Sequence, residues 1–320
     1  MDATLQQIAD CLQKADRIVV LTHQSPDGDT LGSSSALVMA LQSMGKQAKV
    51  ACSDPIPDRF SYLFSGVTCQ EFEPEFVVSI DVAEPHLLGE TAEKYLDRLD
   101  ICLDHHKSNT MGTHAKLSYV DEHAAAACEI AYELICLLPV TITPVIADSL
   151  FTGVCTDTGC FRFSNTTSKT HRIAADLQDF GCRAGEICRE LFDTKTKARI
   201  LAEQTVLQQM EFFFDDQVAL IVISQDMMQR TGLDPSELDG LASLPRQVQG
   251  VEVGVTLKER PEGGYKVSLR SSTYVDVSEI CMKLGGGGHM RAAGCSMDGS
   301  AEEVKARLLK EIGAALKNIK

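Results

Sequence analysis

Short β-branched runs recur through the first 165 residues, and stretches with helical spacing alternate with them. This pattern restricts that half of the chain to a parallel sheet with helices on both faces. Arg17–Thr22 (RIVVLT) is the first run; further strands are predicted at Gln47–Cys52, Phe76–Ile80 (FVVSI) and Leu99–Leu103. Ser33–Met44, closed by Gly45, Ala124–Leu138 and Pro144–Cys155 read as helices.

The second half differs. Glu186–Phe214 is polar, helix-favouring and free of Gly and Pro, and is predicted to link two domains. Beyond it, Gln217–Ser224, Val251–Lys258 and Tyr265–Arg270 alternate as strands, with a hairpin turn at Pro261–Gly264. A glycine run, Gly285–Gly288, and an amphipathic helix, Ala301–Lys317, complete a smaller α/β unit. The expected organisation is residues 1–185, a doubly wound α/β domain with a parallel sheet; 186–214, a helical linker; and 215–320, a smaller α/β C-terminal domain.

The chain carries 45 acidic and 30 basic residues, a formal charge of −15. That balance argues against long duplex nucleic acid, which is held by a basic stripe that displaces counterions. A small anionic substrate held by metal ions remains compatible with it. No stretch approaches the ~18 apolar residues of a membrane span, and Met1–Asp16, with three aspartates and one Lys, does not read as a secretory signal. The twelve cysteines include no CxxC pair and read mostly as buried free thiols of a cytoplasmic protein.

Four clusters carry the chemistry. His23, Asp27 and Asp29 follow the RIVVLT strand; Asp81 ends FVVSID; Asp104, His105 and His106 end LDICLDHH; and Asp157 lies in the turn after the 144–155 helix. In a parallel α/β sheet, side chains at the carboxyl ends of the strands converge on one place. One strand-terminal Asp is ordinarily a turn or cap residue. Four such clusters bring carboxylates and imidazoles together at a density that calls for a cation. Oxygen and imidazole donors without thiolate suit Mn²⁺ or Mg²⁺, and their number fits two ions.

These residues resemble the motifs of the DHH phosphoesterase superfamily: HQSPDGDTLGS (23–33), Asp81, DHH (104–106) and TDTGCFRFSNTT (156–167). VSLRS (267–271) and GGGGHMRAAG (285–294) resemble the DHH-associated C-terminal domain. The two-domain layout is most similar to the branch of nanoRNases and phosphoadenosine-phosphate phosphatases. The resemblance implies a dinuclear manganese centre, with His23, Asp27 and Asp81 holding one ion and Asp29, Asp81, His105 and Asp157 the other. Asp81 would bridge the ions, His106 would contact the scissile phosphate, and Asp104 would fix the orientation of a neighbouring histidine. A hydroxide between the two metals would attack phosphorus directly.

The glycine run has two readings, a flexible turn or a backbone cradle for an anion. Arg270 and Ser272 end a predicted strand nearby. With Gly287, Gly288, His289 and Arg291 they form the expected substrate-binding set, Arg162 being a further candidate or a salt-bridge partner. A cleft between the domains would then favour very short substrates. The expected activity is Mn²⁺-dependent hydrolysis of short oligoribonucleotides and of 3′-phosphoadenosine 5′-phosphate (pAp). Its rivals are a phosphodiesterase for linear or cyclic dinucleotides such as pApA or cyclic di-AMP, a pyrophosphatase or polyphosphatase, and an inactive nucleotide sensor. A homodimer is compatible with the sequence. His86, His114, His123 and His171 have no motif context and are expected to be structural.

Overall fold

The β-branched runs of the N-terminal half become strands β1 (Ile18–Leu21), β2 (Ala48–Ala51), β3 (Phe76–Ile80), β4 (Ile101–Asp104) and β5 (Leu117–Val120). Helices α1 (Leu5–Lys14), α2 (Gly28–Ser43), α3 (Gly89–Glu93), α4 (Ala127–Cys136), α5 (Pro144–Asp157), α6 (Ser168–Asp179) and α7 (Ala184–Cys188) surround them. The computed structural model describes residues 2–234 and 237–317. It divides into two units, Met1–Thr194 and Lys195–Lys320.

Among the described residues the first sheet has five strands, ordered β2-β1-β3-β4-β5, and every pairing is parallel. Strand residues alternate between two cores, because successive side chains leave a strand on opposite faces. Ile18, Val20, Val78, Ile80, Ile101 and Leu103 pack with α1, α2, α4 and α5. Val19, Leu21, Val77 and Cys102 pack against Leu88, Ala92 and Met111 on the other face. This is a doubly wound sheet, and its order reverses between β1 and β3, where such sheets bind ligands.

Helix α2 begins earlier than the sequence predicts. Its Gly28 and Gly32 look like loop residues, yet they serve close packing: a Cβ at Gly32 would lie 2.4 Å from the Ser149 carbonyl oxygen of α5. Gly153 of α5 makes the reciprocal approach, 2.6 Å from Asp29 Oδ1. The helices that carry Asp29 and Asp157 are thereby brought together. The short, half-exposed strand β5 was not anticipated.

The second unit contains α8 (Lys197–Gln208), β6 (Glu211–Phe213), β7 (Val218–Ile223), α9 (Gln225–Thr231), α10 (Asp239–Ala242), β8 (Val253–Glu259), β9 (Tyr265–Ser271), α11 (Val277–Lys283), β10 (Gly287–His289), β11 (Ala292–Met297) and α12 (Ala301–Lys317). Among the described residues its mixed sheet has six strands, ordered β10-β11-β9-β8-β7-β6. The 186–214 stretch is not one helical linker. Ile187 is buried in the first core, a π-helical turn follows at Arg189–Asp193, and Ala202 and Val206 of α8 are buried in the second unit. Residues 211–213 pair with β7. Buried apolar side chains at both ends divide this stretch between the units. The glycine run also differs from expectation, since Gly287–His289 is an edge strand rather than a loop.

Candidate metal centre

The four clusters meet at the carboxyl end of the first sheet. Asp27 caps α2, its Oδ1 accepting from the backbone amides of Asp29 (3.0 Å) and Thr30 (3.2 Å). The ordinary capping role and the ligand role therefore coincide in one side chain. Asp29, one turn into α2, is fully buried. Its carboxylate accepts from the amides of Ala127 (2.6 Å) and Cys128 (2.9 Å), the first residues of α4. No side chain caps that helix at Ala126, so Asp29 supplies the negative partner that a helix N-terminus favours. Asp157 is the last residue of α5. Asp81 follows β3 with φ +59°, a left-handed conformation that costs a non-glycine residue about 1–2 kcal/mol.

The donor atoms form two overlapping sets. His23 Nε2 lies 3.7 Å from Asp27 Oδ1 and 3.7 Å from Asp81 Oδ2. His105 Nε2 lies 3.4 Å from Asp81 Oδ1, 3.4 Å from Asp157 Oδ2 and 3.7 Å from Asp29 Oδ2. His23–Asp27–Asp81 and Asp29–His105–Asp157 are each close enough to share one ion. Asp81 touches both sets, one oxygen toward each.

These separations exceed a hydrogen bond. The two His105 separations of 3.4 Å, to Asp81 and Asp157, fall within the roughly 3.0–3.5 Å between donors that each sit ~2.1 Å from a common cation, and the three of 3.7 Å lie just beyond it. Asp81 Oδ1 and His105 Nε2 are buried and have no hydrogen-bond partner among the described residues. Buried polar atoms are rarely left in that state, so a cation is the partner that completes them. The imidazoles are prepared as ligands too. His23 Nδ1 donates to the Gln24 carbonyl (2.8 Å) and His105 Nδ1 to the Ala124 carbonyl (3.2 Å), which directs each Nε2 at the carboxylates.

The protein alone balances this charge poorly. Burial, then the Asp81 carboxylate, pushes Asp29 up to about 7; burial, then Asp29 and Asp81, pushes Asp157 up to about 9. Burial opposes charge on the imidazoles, yet the acidic neighbours outweigh it. His23 is pushed up to about 11 by Asp27 and Asp81, and His105 up to about 10 by Asp81, Asp29 and Asp157. Retained protons thus supply the positive charge that divalent ions would otherwise provide. The donor set fits two oxygen-preferring divalent cations.

His106 forms a third close group with Asp81 and His105, its Nδ1 3.7 Å from Asp81 Oδ1. Its Nδ1 is 2.9 Å from Asp104 Oδ1, which raises its affinity for a proton and leaves Nε2 for a ligand. Asp104 is fully buried and also accepts from the His105 amide (2.9 Å) and from Asn109 Nδ2 (2.5 Å). It is a positioning residue for His106. Asn109 escaped the sequence reading, as did Asn165, whose Nδ2 joins the carbonyls of Ala125 and Asp157 (both 3.1 Å). Asn109 lies three residues after the DHH motif and Asn165 inside the 156–167 motif, the signals that could have found them. A cavity of about 320 Å³ opens here, lined by His23, Asp27, Asp81, His106 and Asp157 among others.

In the second unit, Gly285–Gly288, His289 and Arg270 line a cavity of about 790 Å³. A Cβ at Gly286 would lie 2.2 Å from the Gly294 carbonyl oxygen, so the run must be glycine where it crosses β11. Lys266, Ser268 and Arg270 are alternate residues of β9 on the same face, with Val267 and Leu269 turned into the core. Lys266 and Ser268 escaped the sequence reading, although the period-two pattern of YKVSLR contains them.

Two expected substrate-binding residues are not in that cavity. Ser272 Oγ donates to the Val251 carbonyl (2.9 Å). Arg291 donates to the carbonyls of Thr273 and Val275, fastening the 273–275 loop. Both lie past the point where β9 and β11 supply the wall, and their polar atoms satisfy backbone instead. Among the described residues Arg162 forms no salt bridge; its Nε donates to the Gly159 carbonyl (2.6 Å) and its guanidinium lies over Phe192.

Residues 17–154 match the DHH family, N-terminal domain, and residues 215–318 match the DHHA1 domain. The chain is 35% identical over 290 residues to the bifunctional oligoribonuclease and PAP phosphatase NrnA of Thermus thermophilus, a match covering 88% of this chain and 84% of that protein. It is 25% identical over 288 residues to the protein of the same name from Bacillus subtilis, covering 88% and 90%. An exopolyphosphatase-related protein from Bacteroides fragilis shares the fold, with a TM-score of 0.85, 24% identity, and coverage of 98% of this chain and 95% of that one. The chain belongs to the DHH family, with an N-terminal DHH domain followed by a DHHA1 domain.

Proposed function

We propose that the protein is a cytoplasmic, Mn²⁺-dependent phosphoesterase that hydrolyses very short oligoribonucleotides and pAp. The single observation that carries this reading is the pair of donor sets joined through Asp81, with His106 held beside them. The relatives bearing oligoribonuclease and PAP phosphatase names support the substrate class.

His23, Asp27 and Asp81 would hold one ion; Asp29, Asp81, His105 and Asp157 the other. Two such ions, when bound, supply the charge that polarises a phosphate and acidifies the attacking water. The remaining steps belong to the chain. Asp104 fixes His106 through Nδ1, so that Nε2–H of the protonated ring donates to a non-bridging phosphate oxygen and balances charge as the transition state forms. Asp29 and the α4 amides hold the second donor set rigid. No serine or cysteine nucleophile is required.

In the second unit, Arg270 and Lys266 would grip a phosphate, while backbone amides of the edge strand Gly287–His289 approach it closely. This cavity would bind a nucleotide phosphate, and would confer preference for nucleotides over inorganic phosphates.

The test compares initial rates with manganese on pAp, pApA, cyclic di-AMP, an RNA pentamer and pyrophosphate, using the wild type and Arg270→Ala. The wild type should favour pAp and pApA over pyrophosphate by about a hundredfold, roughly 2.7 kcal/mol. Arg270→Ala should raise KM for the nucleotides about tenfold, the scale of one lost charged contact. Pyrophosphate hydrolysed fastest would overturn the nucleotide reading. An unchanged KM in the variant would remove the proposed role of the glycine cavity.

A further inference from the structure

Three cysteines converge beside the catalytic motif. Cys155 is in the last turn of α5, Cys160 lies just beyond it, and Cys188 ends α7. Cys188 Sγ lies 3.6 Å from Cys155 Sγ and 3.7 Å from Cys160 Sγ, and all three sulfurs fall within 4.8 Å of one another. None is in a disulfide.

The geometry points to a three-thiolate site for a thiophilic divalent cation of the zinc class, built from Cys155, Cys160 and Cys188. Tetrahedral zinc with sulfurs at ~2.3 Å places neighbouring sulfurs about 3.8 Å apart, close to both measured separations. Disulfide sulfurs would sit near 2.05 Å, well inside both separations. Soft thiolate donors favour zinc over the manganese and magnesium that suit the carboxylate centre. The thiols bind as thiolates, releasing their protons to solvent, and water or an external donor fills the fourth position.

The backbone supports the same conclusion. Gly159, Cys160 and Phe161 adopt φ values of +55°, +59° and +62°, three left-handed residues in succession. Two of them are not glycine, and such strain concentrates where local structure serves a site. The reversal brings the Cys160 amide to the Cys155 carbonyl (2.7 Å), folding its thiol back beneath α5. Cys188 arrives from the opposite side, directly before the wide turn Arg189–Asp193. In sequence, four residues separate Cys155 from Cys160, a spacing common to zinc ligands, while the third ligand lies far beyond them. The site would tie α7 to the segment that carries Asp157. Its donors are separate from the carboxylate and imidazole sets.

Cobalt(II) tests the proposal, because it takes zinc's geometry and shows thiolate-to-cobalt charge transfer that the carboxylate centre lacks. Reduced, chelator-treated full-length protein is titrated with Co²⁺ and then Zn²⁺. We expect one equivalent of thiolate-bound cobalt per chain, displaced by zinc. The absorption should be lost in C160S and in C188S and retained in C69S. Cobalt uptake without that absorption, or absorption that survives C160S and C188S, overturns the proposal. Should those variants fail to fold, alkylation of the wild type followed by mass spectrometry decides. Zn²⁺ should slow labelling of Cys155, Cys160 and Cys188 at least tenfold, leave Cys69 unchanged, and have no counterpart with Mn²⁺. Equal labelling with and without zinc, a matching effect of manganese, or a disulfide among the three in protein kept in a non-thiol reductant would each overturn it.

Discussion

Asp81→Asn is expected to reduce manganese-dependent hydrolysis by a thousandfold or more, about 4 kcal/mol of transition-state stabilisation, while the protein stays folded. The two oxygens of Asp81 approach both histidines, 3.7 Å from His23 and 3.4 Å from His105. An amide keeps its shape but cannot bridge two cations through both arms. Asn also tolerates the left-handed backbone at this position, so the substitution adds no conformational strain. Removing the charge relieves the repulsion that raises Asp29 and Asp157 and weakens the pairing with His23 and His105. These effects oppose each other, and the metal-free unfolding midpoint should move by no more than about 4 °C. Turnover near the wild-type level with manganese would contradict the bridging role; collapse of the fold would contradict the separation of charge from structure. Rate assays and thermal unfolding read the two parts independently.

Asp29 is expected to behave differently, because its carboxylate serves the metal centre and the fold together. Asp29→Ala removes the acceptor for the Ala127 and Cys128 amides, and no side chain caps α4 in its place. Two buried N–H groups left without partners cost about 1–3 kcal/mol each. Relief of the crowding with Asp81 offsets part of this, for a net loss of roughly 2–4 kcal/mol in unfolding free energy. Activity should fall at least a hundredfold as well. Asp29→Asn retains an oxygen for one of the amides, so it should lose comparable activity and clearly less stability. Equal destabilisation by the two substitutions, measured by denaturant unfolding, would show that the capping bonds do not matter.

The sequence made the candidate metal-site residues legible because each ends a run whose own pattern was clear. RIVVLT and FVVSI are apolar and β-branched and the strand before DHH is apolar, so the sequence alone assigns His23, Asp81 and His105 to one sheet edge. Other features were hidden for physical reasons. Gly28 and Gly32 concealed the start of α2, because their value lies in a close approach to α5 that local propensity does not register. The glycine run looked like a loop, yet Gly286 and Gly288 are fixed by contact with β11, a partner several residues away. Ser272 and Arg291 had suitable chemistry, but their backbone bonds keep them out of the cavity, whereas Lys266 and Ser268 lie on its wall. The three sulfurs were invisible as a group, since Cys188 reaches the other two only through the packing of α7 on the first core.

Acidity links the sequence to the substrate range. Several of the aspartates behind the −15 charge converge on one cavity of about 320 Å³, where bound cations would reverse the local field. Beyond such a site, a long strand must still find cationic side chains to replace its counterions, and a chain with 45 acidic and 30 basic residues supplies few. The decisive measurement is the manganese-dependent rate on pApA beside that on a 24-residue RNA of the same base. The dinucleotide should be hydrolysed at least about a hundredfold faster per strand end, with both rates abolished by chelator. Equal rates on the two, or hydrolysis that persists without metal, would contradict a metal-centred phosphoesterase for very short nucleotides.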